Sequence, residues 1–425
     1  MTLDANVVRA LRDELHASCF APEIAGRRAV GAEVELLAFD GATNRPVGLE
    51  DDGGDVGRGL ISVLRRYASA HGWIERYAPG GMTKFEIPGR AVVSFEPGGQ
   101  IEISTLPAAT PTGLVRTLRE IVRPLRARLL DDGVALESIG IDPFHDAPEV
   151  PLQLHSPRYE RMTAYFDRIG PFGARMMRQT GSIQVSLDRG ERPADRWRLL
   201  NDLAPYVIAI FANSSRHADD ETGHRSFRAH CWRQLDMTRT GVAAPSDDPA
   251  GAYVAFALAA NDMMRTSADG EHRAFAWWLE RDADGAPWPT HLTTLFPEVR
   301  PRGHFEVRSC DATPTEWYAV PIVFLTALAY DDAASREAGV LAAESRALLR
   351  VAGKDGLADA ALARTARDLF ALSMQGARRL GDSYVSGDLI ETCEDYYRRF
   401  TARDACPGDA NLARMRTVRS RSSRV

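Results

Sequence analysis

The chain has 425 residues, 44% of them hydrophobic and 26% charged, a composition that supports a large buried core and sets aside wholesale disorder, collagen-like and coiled-coil architectures. A formal net charge of -6 argues against a general nucleic-acid binder, which needs a concentrated positive field. Of the 52 basic residues only Lys84 and Lys354 are lysines, and neither stands in a G-x-x-x-x-G-K-[ST] setting, so phosphate chemistry here must use arginine, metal ions or backbone amides.

The N-terminal segment carries Val7, Val8, Leu11 and Leu15 at helical spacing and lacks a signal-peptide core. Val30, Ala32, Val34 and Leu36 then alternate with Glu33 and Glu35, which predicts a strand. A Gly- and Asp-rich loop over 51–59 is not G-x-G-x-x-G and gives no dinucleotide fingerprint; a helix follows around Leu60–Ala70. Residues 91–107 predict two strands joined or bent at Pro97-Gly98-Gly99, and Thr110-Pro111 caps and opens a long helix. A strand candidate at 134–142, a helix over Ser156–Ile169, an alternating strand Ser182–Asp188 and a mostly buried helix Pro193–Ala212 continue the chain.

Residues Asn213–Ala250 are polar, rich in Arg and His and weakly periodic, and read as a long irregular loop. His304–Ser309 is a short strand, and the remainder from Thr313 is mainly helical; within it the nearly apolar stretch Trp317–Tyr330 is too short to span a bilayer. The fold class expected is α+β, an antiparallel sheet with helices packed on it. The five cysteines are scattered, odd in number and without a C-x-x-C pair, which fits a reducing cytoplasm.

The chemistry concentrates in acids and amides at alternate strand positions: Glu33 with Glu35, Gln100 with Glu102, Gln184 with Ser186 and Asp188, and Glu306 with Arg308. Period-two spacing puts each set on one sheet face. If the strands are neighbours, the carboxylates converge and repel one another unless divalent cations sit between them; hard oxygen ligands suit Mg2+. The bland alternative is the solvated face of an antiparallel sheet, weakened by the number of sets and by Glu96 before Pro-Gly-Gly. Arg300 and Arg308 flank the Glu306 strand and can grip carboxylate or phosphate bidentately; Arg225, Arg228, Arg233 and Arg239 are further arginines in the polar region. The histidines lack H-E-x-x-H spacing, Cys310 reads as a buried thiol rather than a nucleophile, and Phe275, Trp277 and Trp278 read as packing.

The blocks GAEVELLAF, FEPGGQIEIST, TGSIQVSLD, FANS, HLTTLFPEVRPRGHFEVRSCDA and the apolar helix after them resemble, in order, the glutamate-cysteine ligase family of the plant and bacterial second type, most like the actinobacterial members associated with ergothioneine synthesis. They run from about residue 28 to 331. The resemblance implies a glutamine-synthetase-like antiparallel sheet forming a funnel, with ATP- and Mg2+-dependent joining of the glutamate γ-carboxylate to the cysteine amine through a γ-glutamyl phosphate. It puts the metal acids on Glu33, Glu35, Glu96, Glu102 and Glu306, nucleotide- or substrate-facing groups on Glu96, Gln100, Gln184 and Arg300, and catalytic roles on Glu102, Arg308 and Arg300. The segment after FANS and the Ser-Cys-Asp after Arg308 depart from the family pattern, so another amine acceptor stays open, as does a silent member that only binds glutamate or nucleotide. The expected organisation is a catalytic domain over 1–335, a helical C-terminal region over 336–410 packed on it, and a basic mobile tail over 411–425. The expected partners are small molecules, with no nucleic acid and no membrane, for a cytoplasmic monomer or homodimer.

Overall fold

In the computed structural model, which describes residues 3–23, 28–51, 59–77, 82–281 and 287–411, strand β1 (Val30–Asp40) has Val30, Val34 and Leu36 fully buried on one face. Around it stand β2 (Ile74–Tyr77), β3 (Thr83–Ile87), β4 (Ala91–Phe95), β5 (Ile101–Thr105), β6 (Val134–Glu137) and β7 (Ser182–Leu187). A separate hairpin of β8 (Arg216–His217) and β9 (Asp220–Glu221) precedes β10 (Val299–Pro301) and β11 (Phe305–Asp311). The main sheet runs β10-β11-β7-β1-β5-β4-β3-β2 with every pairing antiparallel, and β6 pairs with the far half of β1.

The helices before the middle of the chain are α1 (Ala5–Leu15), α2 (Leu60–Ala70), α3 (Pro111–Asp131), α4 (Pro157–Asp167), α5 (Phe172–Gln179) and α6 (Pro193–Ile210). Then come α7 (Phe227–Gln234), α8 (Met237–Thr240), α9 (Pro249–Ala259), α10 (Phe275–Leu279), α11 (Trp288–Leu292) and α12 (Ala319–Tyr330). The C-terminal set is α13 (Asp332–Leu341), α14 (Leu349–Lys354), α15 (Ala360–Leu380) and α16 (Gly387–Arg399). α3 starts as its sequence requires: the Thr110 side chain accepts from the Gly113 amide, Pro111 fills the first turn, and Leu114, Leu118, Ile121, Val122, Leu125 and Leu129 are buried.

One face of the sheet is closed by α3, α6 and α12, which contact β1 and β5, β11, and β7 respectively. That face carries Ile101, Ile103, Ile183, Val185, Phe305 and Val307, all fully buried. Every residue of α12 is buried, and α13, α15 and α16 pack on it within the same hydrophobic core, so its apolar run is a central core helix. Among the described residues no helix is long and apolar enough to cross a membrane. The tail from 412 onward and the loop 52–58 lie outside the described residues.

Two readings of the sequence need correction. The stretch Asn213–Ala250 is not an irregular loop: it holds β8, β9, α7 and α8, and Arg228, Arg233 and Arg239 are buried in it. Its weak periodicity has a physical cause, since buried arginines that bond to backbone carbonyls and carboxylates occupy positions where an apolar pattern would otherwise show. The second concerns β2 and β3, which the alternation did not reveal. They lie at the far edge of the sheet, where Ile74, Arg76 and Tyr77 are exposed and leave no clean two-residue period.

Candidate active site

The polar face of the sheet is opposite the helix-covered one, and strand register decides what meets there. Glu35 of β1 lies across from Glu102 of β5, which in turn faces Ser94 of β4; Glu33 lies between Ser104 of β5 and Gln184 of β7; Ser186 of β7 lies across from Glu306 of β11, which faces Arg300 of β10. A cavity of about 830 Å³ opens on this face. Glu33, Glu35, Glu96, Gln100, Glu102, Gln184, Arg300 and Arg308 all border it.

Glu96 reaches this face because of the turn that follows it. Its amide donates to the Gln100 carbonyl (2.9 Å) and its carbonyl accepts from the Gly99 amide (2.8 Å), closing the β4–β5 hairpin. A side chain at Gly98 would collide with the backbone of Arg178, and Gly99 has φ +89°, so the two glycines are fixed by close approach and by a left-handed backbone respectively. The Gln100 side chain accepts from the Gly98 amide (2.9 Å) and donates to the Thr180 carbonyl (3.0 Å). Gln100 therefore positions the turn.

Carboxylate oxygens of Glu35, Glu96 and Glu102 lie within 4.8 Å of one another. Ser94 and Ser104 donate to Glu102 (3.0 and 2.9 Å), and Gln184 donates to Glu35 (3.0 Å). Burial pushes the Glu96 carboxyl well above the usual carboxylate range, and the charges of Glu102 and Glu35 push it further. Burial and Glu102 raise Glu35 to about 6, and burial with Glu102 and Glu306 raises Glu33 to about 8. This half of the cavity is a like-charge cluster in which none of the four carboxylates forms an ion pair among the described residues, the charges of Arg228 and Arg308 only moderating Glu35.

The other half is compensated. Burial alone would raise Glu306, but Arg308 and Arg300 overcome it and hold the carboxyl far below its ordinary value. Arg308 Nη1 donates to Glu306 (2.8 Å) and to Gln184 (2.7 Å), while Arg300 Nη2 and Arg302 Nη1 donate to Glu306 (3.1 and 3.2 Å). Between Val307 and Cys310 the register with β7 shifts, so an extra residue bulges from β11 beside the site. A bulge re-aims the side chains that follow it. Cys310 turns into the hydrophobic core, where burial pushes its thiol well up, and the buried Asp311 points toward α7, accepting from Ser214 (2.6 Å), Ser226 (2.9 Å) and the Asn213 amide (2.9 Å).

Most of the acids and amides read from the sequence thus border one cavity; Ser186, Asp188 and Glu306 do not. Asp188 stands at the end of β7 and pairs with Arg196 and the Tyr330 hydroxyl (2.8 Å), away from the cluster. Glu306 belongs to the arginine group and not to the Glu35–Glu96–Glu102 triad. Sequence reasoning passed over Arg158 and Tyr159 of α4 and Trp232 of α7, which line the same cavity, and gave Arg228 little weight. Arg228 sits 4.8 Å over the Trp232 ring and donates to the Arg308 carbonyl (2.9 Å). Its signal in the sequence was the four-residue spacing to Trp232, which puts both on one face of a helix.

The sequence matches the profile of glutamate-cysteine ligase family 2 (GCS2) over residues 29–400. The chain belongs to that family. It is 34% identical over 346 residues to the glutamate-cysteine ligase EgtA of Mycobacterium tuberculosis, covering 76% of this chain and 77% of that one. It is 28% identical over 399 residues to the chloroplastic glutamate-cysteine ligase of Arabidopsis thaliana, covering 87% and 73%. The fold resembles the crystal structure of glutamate-cysteine ligase (gshA) from Francisella tularensis in complex with AMP, with a TM-score of 0.54 at 14% identity over 93% of this chain and 86% of that chain. The family match extends through α16, so it takes in the C-terminal helices as well as the sheet.

Proposed function

We propose that this protein is an ATP-dependent ligase that joins the γ-carboxylate of glutamate to the amine of cysteine. The observation that carries the reading is one cavity with two electrostatic halves, a carboxylate triad without an ion pair and a pair of arginines fixed from behind by Glu306. A carboxylate is a poor electrophile, so it first takes the γ-phosphoryl group of ATP, releasing ADP and forming a γ-glutamyl phosphate. The cysteine amine then attacks the acyl carbon, loses a proton and expels orthophosphate.

The donor set fits a divalent cation. Three carboxylates within 4.8 Å, at least one held well above its normal pKa by burial and its neighbours' charge, form an all-oxygen group of the kind that suits Mg2+. Glu35, Glu96 and Glu102 would hold it, with Glu33 extending the acidic surface toward Glu306. A cation there supplies positive charge against the phosphate oxygens of ATP. Gln184, bonded to both Glu35 and Arg308, ties the two halves together.

Arg300 and Arg308 bind the anionic substrate groups and stabilise charge on the transferring phosphoryl group. Among the described residues the Nε donors of Arg228 and Arg308 are buried without a hydrogen-bond partner, which suits them to an anionic ligand, while Arg300 Nε already pairs with Glu306 (2.8 Å). Glu306 is a positioning residue that fixes the guanidinium planes. The similarity to EgtA supports a place in thiol biosynthesis, with ergothioneine synthesis as its narrowest version. The five cysteines, all buried free thiols, suit a reducing cytoplasm.

The test is purified protein with ATP, Mg2+ and glutamate, assayed for ADP release with cysteine, with other amines, and with hydroxylamine as a trap for the acyl phosphate. The reading expects glutamate-dependent hydroxamate and a clear preference for cysteine. Hydroxamate without that preference would move the assignment to a ligase with another acceptor; no ADP release under any combination, with nucleotide still bound, would replace it with a silent binding member.

A further inference from the structure

α7 separates two cavities. Arg228 and Trp232 face the catalytic one, while Ala229, His230, Arg233 and Gln234 line a second cavity of about 200 Å³ closed on its far side by α14. The second cavity is also bordered by His224, Arg350 and Lys354. Among the described residues no carboxylate lines it, and neither the Arg350 guanidinium nor the Lys354 ammonium has a hydrogen-bond or ion-pair partner. Both are exposed at the rim. In a chain with 52 basic and 58 acidic residues, where most described arginines are paired, two free cations on one small concavity are a specific arrangement.

The walls add donors. Arg233 is 7% exposed, and its Nε is buried without a partner while its Nη2 is taken by Glu298. The His224 and His230 rings stand 4.1 Å apart between centroids, His224 using Nδ1 on the Thr222 carbonyl (3.1 Å). The groups acting on His230 are burial and the positive charges of His224, Arg175 and Arg350, and together they lower it to about 4, so at neutral pH it is an uncharged ring available as a hydrogen-bond donor.

We propose that this cavity is a binding site for a small phosphate dianion, either orthophosphate or a short phosphate monoester. Two unpaired cations match a charge of about two, and a planar guanidinium with the His230 imidazole donor matches tetrahedral oxygens. The volume lies below the roughly 300–1,000 Å³ of pockets for larger organic ligands, which suits a small anion better than a whole nucleotide. Occupancy also has a route to the catalytic cavity, because Glu298, which holds Arg233, accepts from Ser309 (2.7 Å) and its carbonyl accepts from the Arg308 amide (2.8 Å).

The experiment uses the full chain with histidine labelled at the ring carbon, and follows ring resonances while orthophosphate or glycerol phosphate is titrated at constant ionic strength against chloride. Among the described residues no histidine lines the catalytic cavity, so His224 and His230, assigned through His224→Gln and His230→Gln, report on the second cavity alone. A saturable shift of both rings is expected, at least tenfold weaker in affinity in the double variant Arg350→Ala, Lys354→Ala, whose ligase turnover without added phosphate stays that of the parent. If orthophosphate binds and glycerol phosphate does not, the ligand is the free ion; the reverse selects a monoester. Shifts no larger than those with chloride, or equal affinity in the double variant, would overturn the site.

Discussion

The carboxylate half and the arginine half of the catalytic cavity use the same residue type to opposite ends. Glu96 and Glu306 sit on one sheet face, both pulled from water, yet one is held well above the ordinary glutamate range and the other far below it. The difference lies in the partners. Glu96 meets Glu35 and Glu102, whereas Glu306 meets Arg300, Arg302 and Arg308. One half carries its counter-charge in ion pairs of its own side chains; the other has no ion pair and, in the proposed function, takes its counter-charge from a bound cation. Burial sets how much a charge costs, and the neighbour sets the sign of the shift.

This contrast is broken most severely by Glu306→Gln. Removing its charge leaves Arg300 and Arg308 buried without their carboxylate, which should cost about 3–5 kcal/mol and abolish turnover. Urea unfolding measures the stability, and an unchanged midpoint would remove Glu306 from its positioning role. Glu102→Gln should also abolish turnover, with the opposite effect on the fold. It relieves repulsion in the triad, so its Tm in EDTA should equal or exceed that of the parent, while Mg2+ no longer raises it. A variant that keeps activity would sink the metal assignment.

Arg308→Lys is the milder break. Lysine keeps the charge but is shorter and lacks the planar guanidinium whose Nη1 holds Glu306 and Gln184 while leaving other donors free for an anion, and kcat should fall by roughly 10²–10³-fold with a smaller change in the KM for ATP. A loss confined to KM would make Arg308 a binding residue only.

What could be read from the sequence follows from how local each feature is. The strand carrying Glu33 and Glu35, the Pro-Gly-Gly hairpin and the Thr110 cap are set by residues next to one another, and alternation or turn chemistry reveals them. The split between the two halves is not local. It depends on register: Glu306 lies across from Arg300 and Ser186, one strand removed from Glu33, and no spacing in the chain states which strands are neighbours. The bulge after Val307 is likewise invisible, because an extra residue announces itself only against its partner strand. Arg228, Arg233 and Arg239 were hidden for a third reason, since a buried arginine and a solvated one are the same letter.

The smallest effect is the most direct reading of the uncompensated half. The glutamates of the unfolded chain ionise near pH 4.5, while Glu35 holds its proton to about 6 and Glu33 to about 8 in the folded protein, with Glu96 raised as well. The buried His217, His230 and His291, lowered to about 4, pull the other way up to about pH 6.5, so it is from about pH 7 to about 8, where Glu33 still holds a proton that the unfolded chain has lost, that stability in EDTA should fall, by up to a few degrees in Tm. Glu306 works the other way, its contribution present above about pH 4.5 and lost in acid, so it does not mask the trend. Mg2+ binds the ionised carboxylates and displaces their protons, so the Tm gain from Mg2+ should grow over the same range. Other buried acids such as Asp202 and Asp311 also have raised values, and the comparison with Glu102→Gln isolates the triad: the variant should show a shallower fall and no pH-dependent gain. A parent Tm in EDTA that is flat or rising toward pH 8, or a Mg2+ gain that shrinks with pH, would mean that the carboxylates are compensated without a metal.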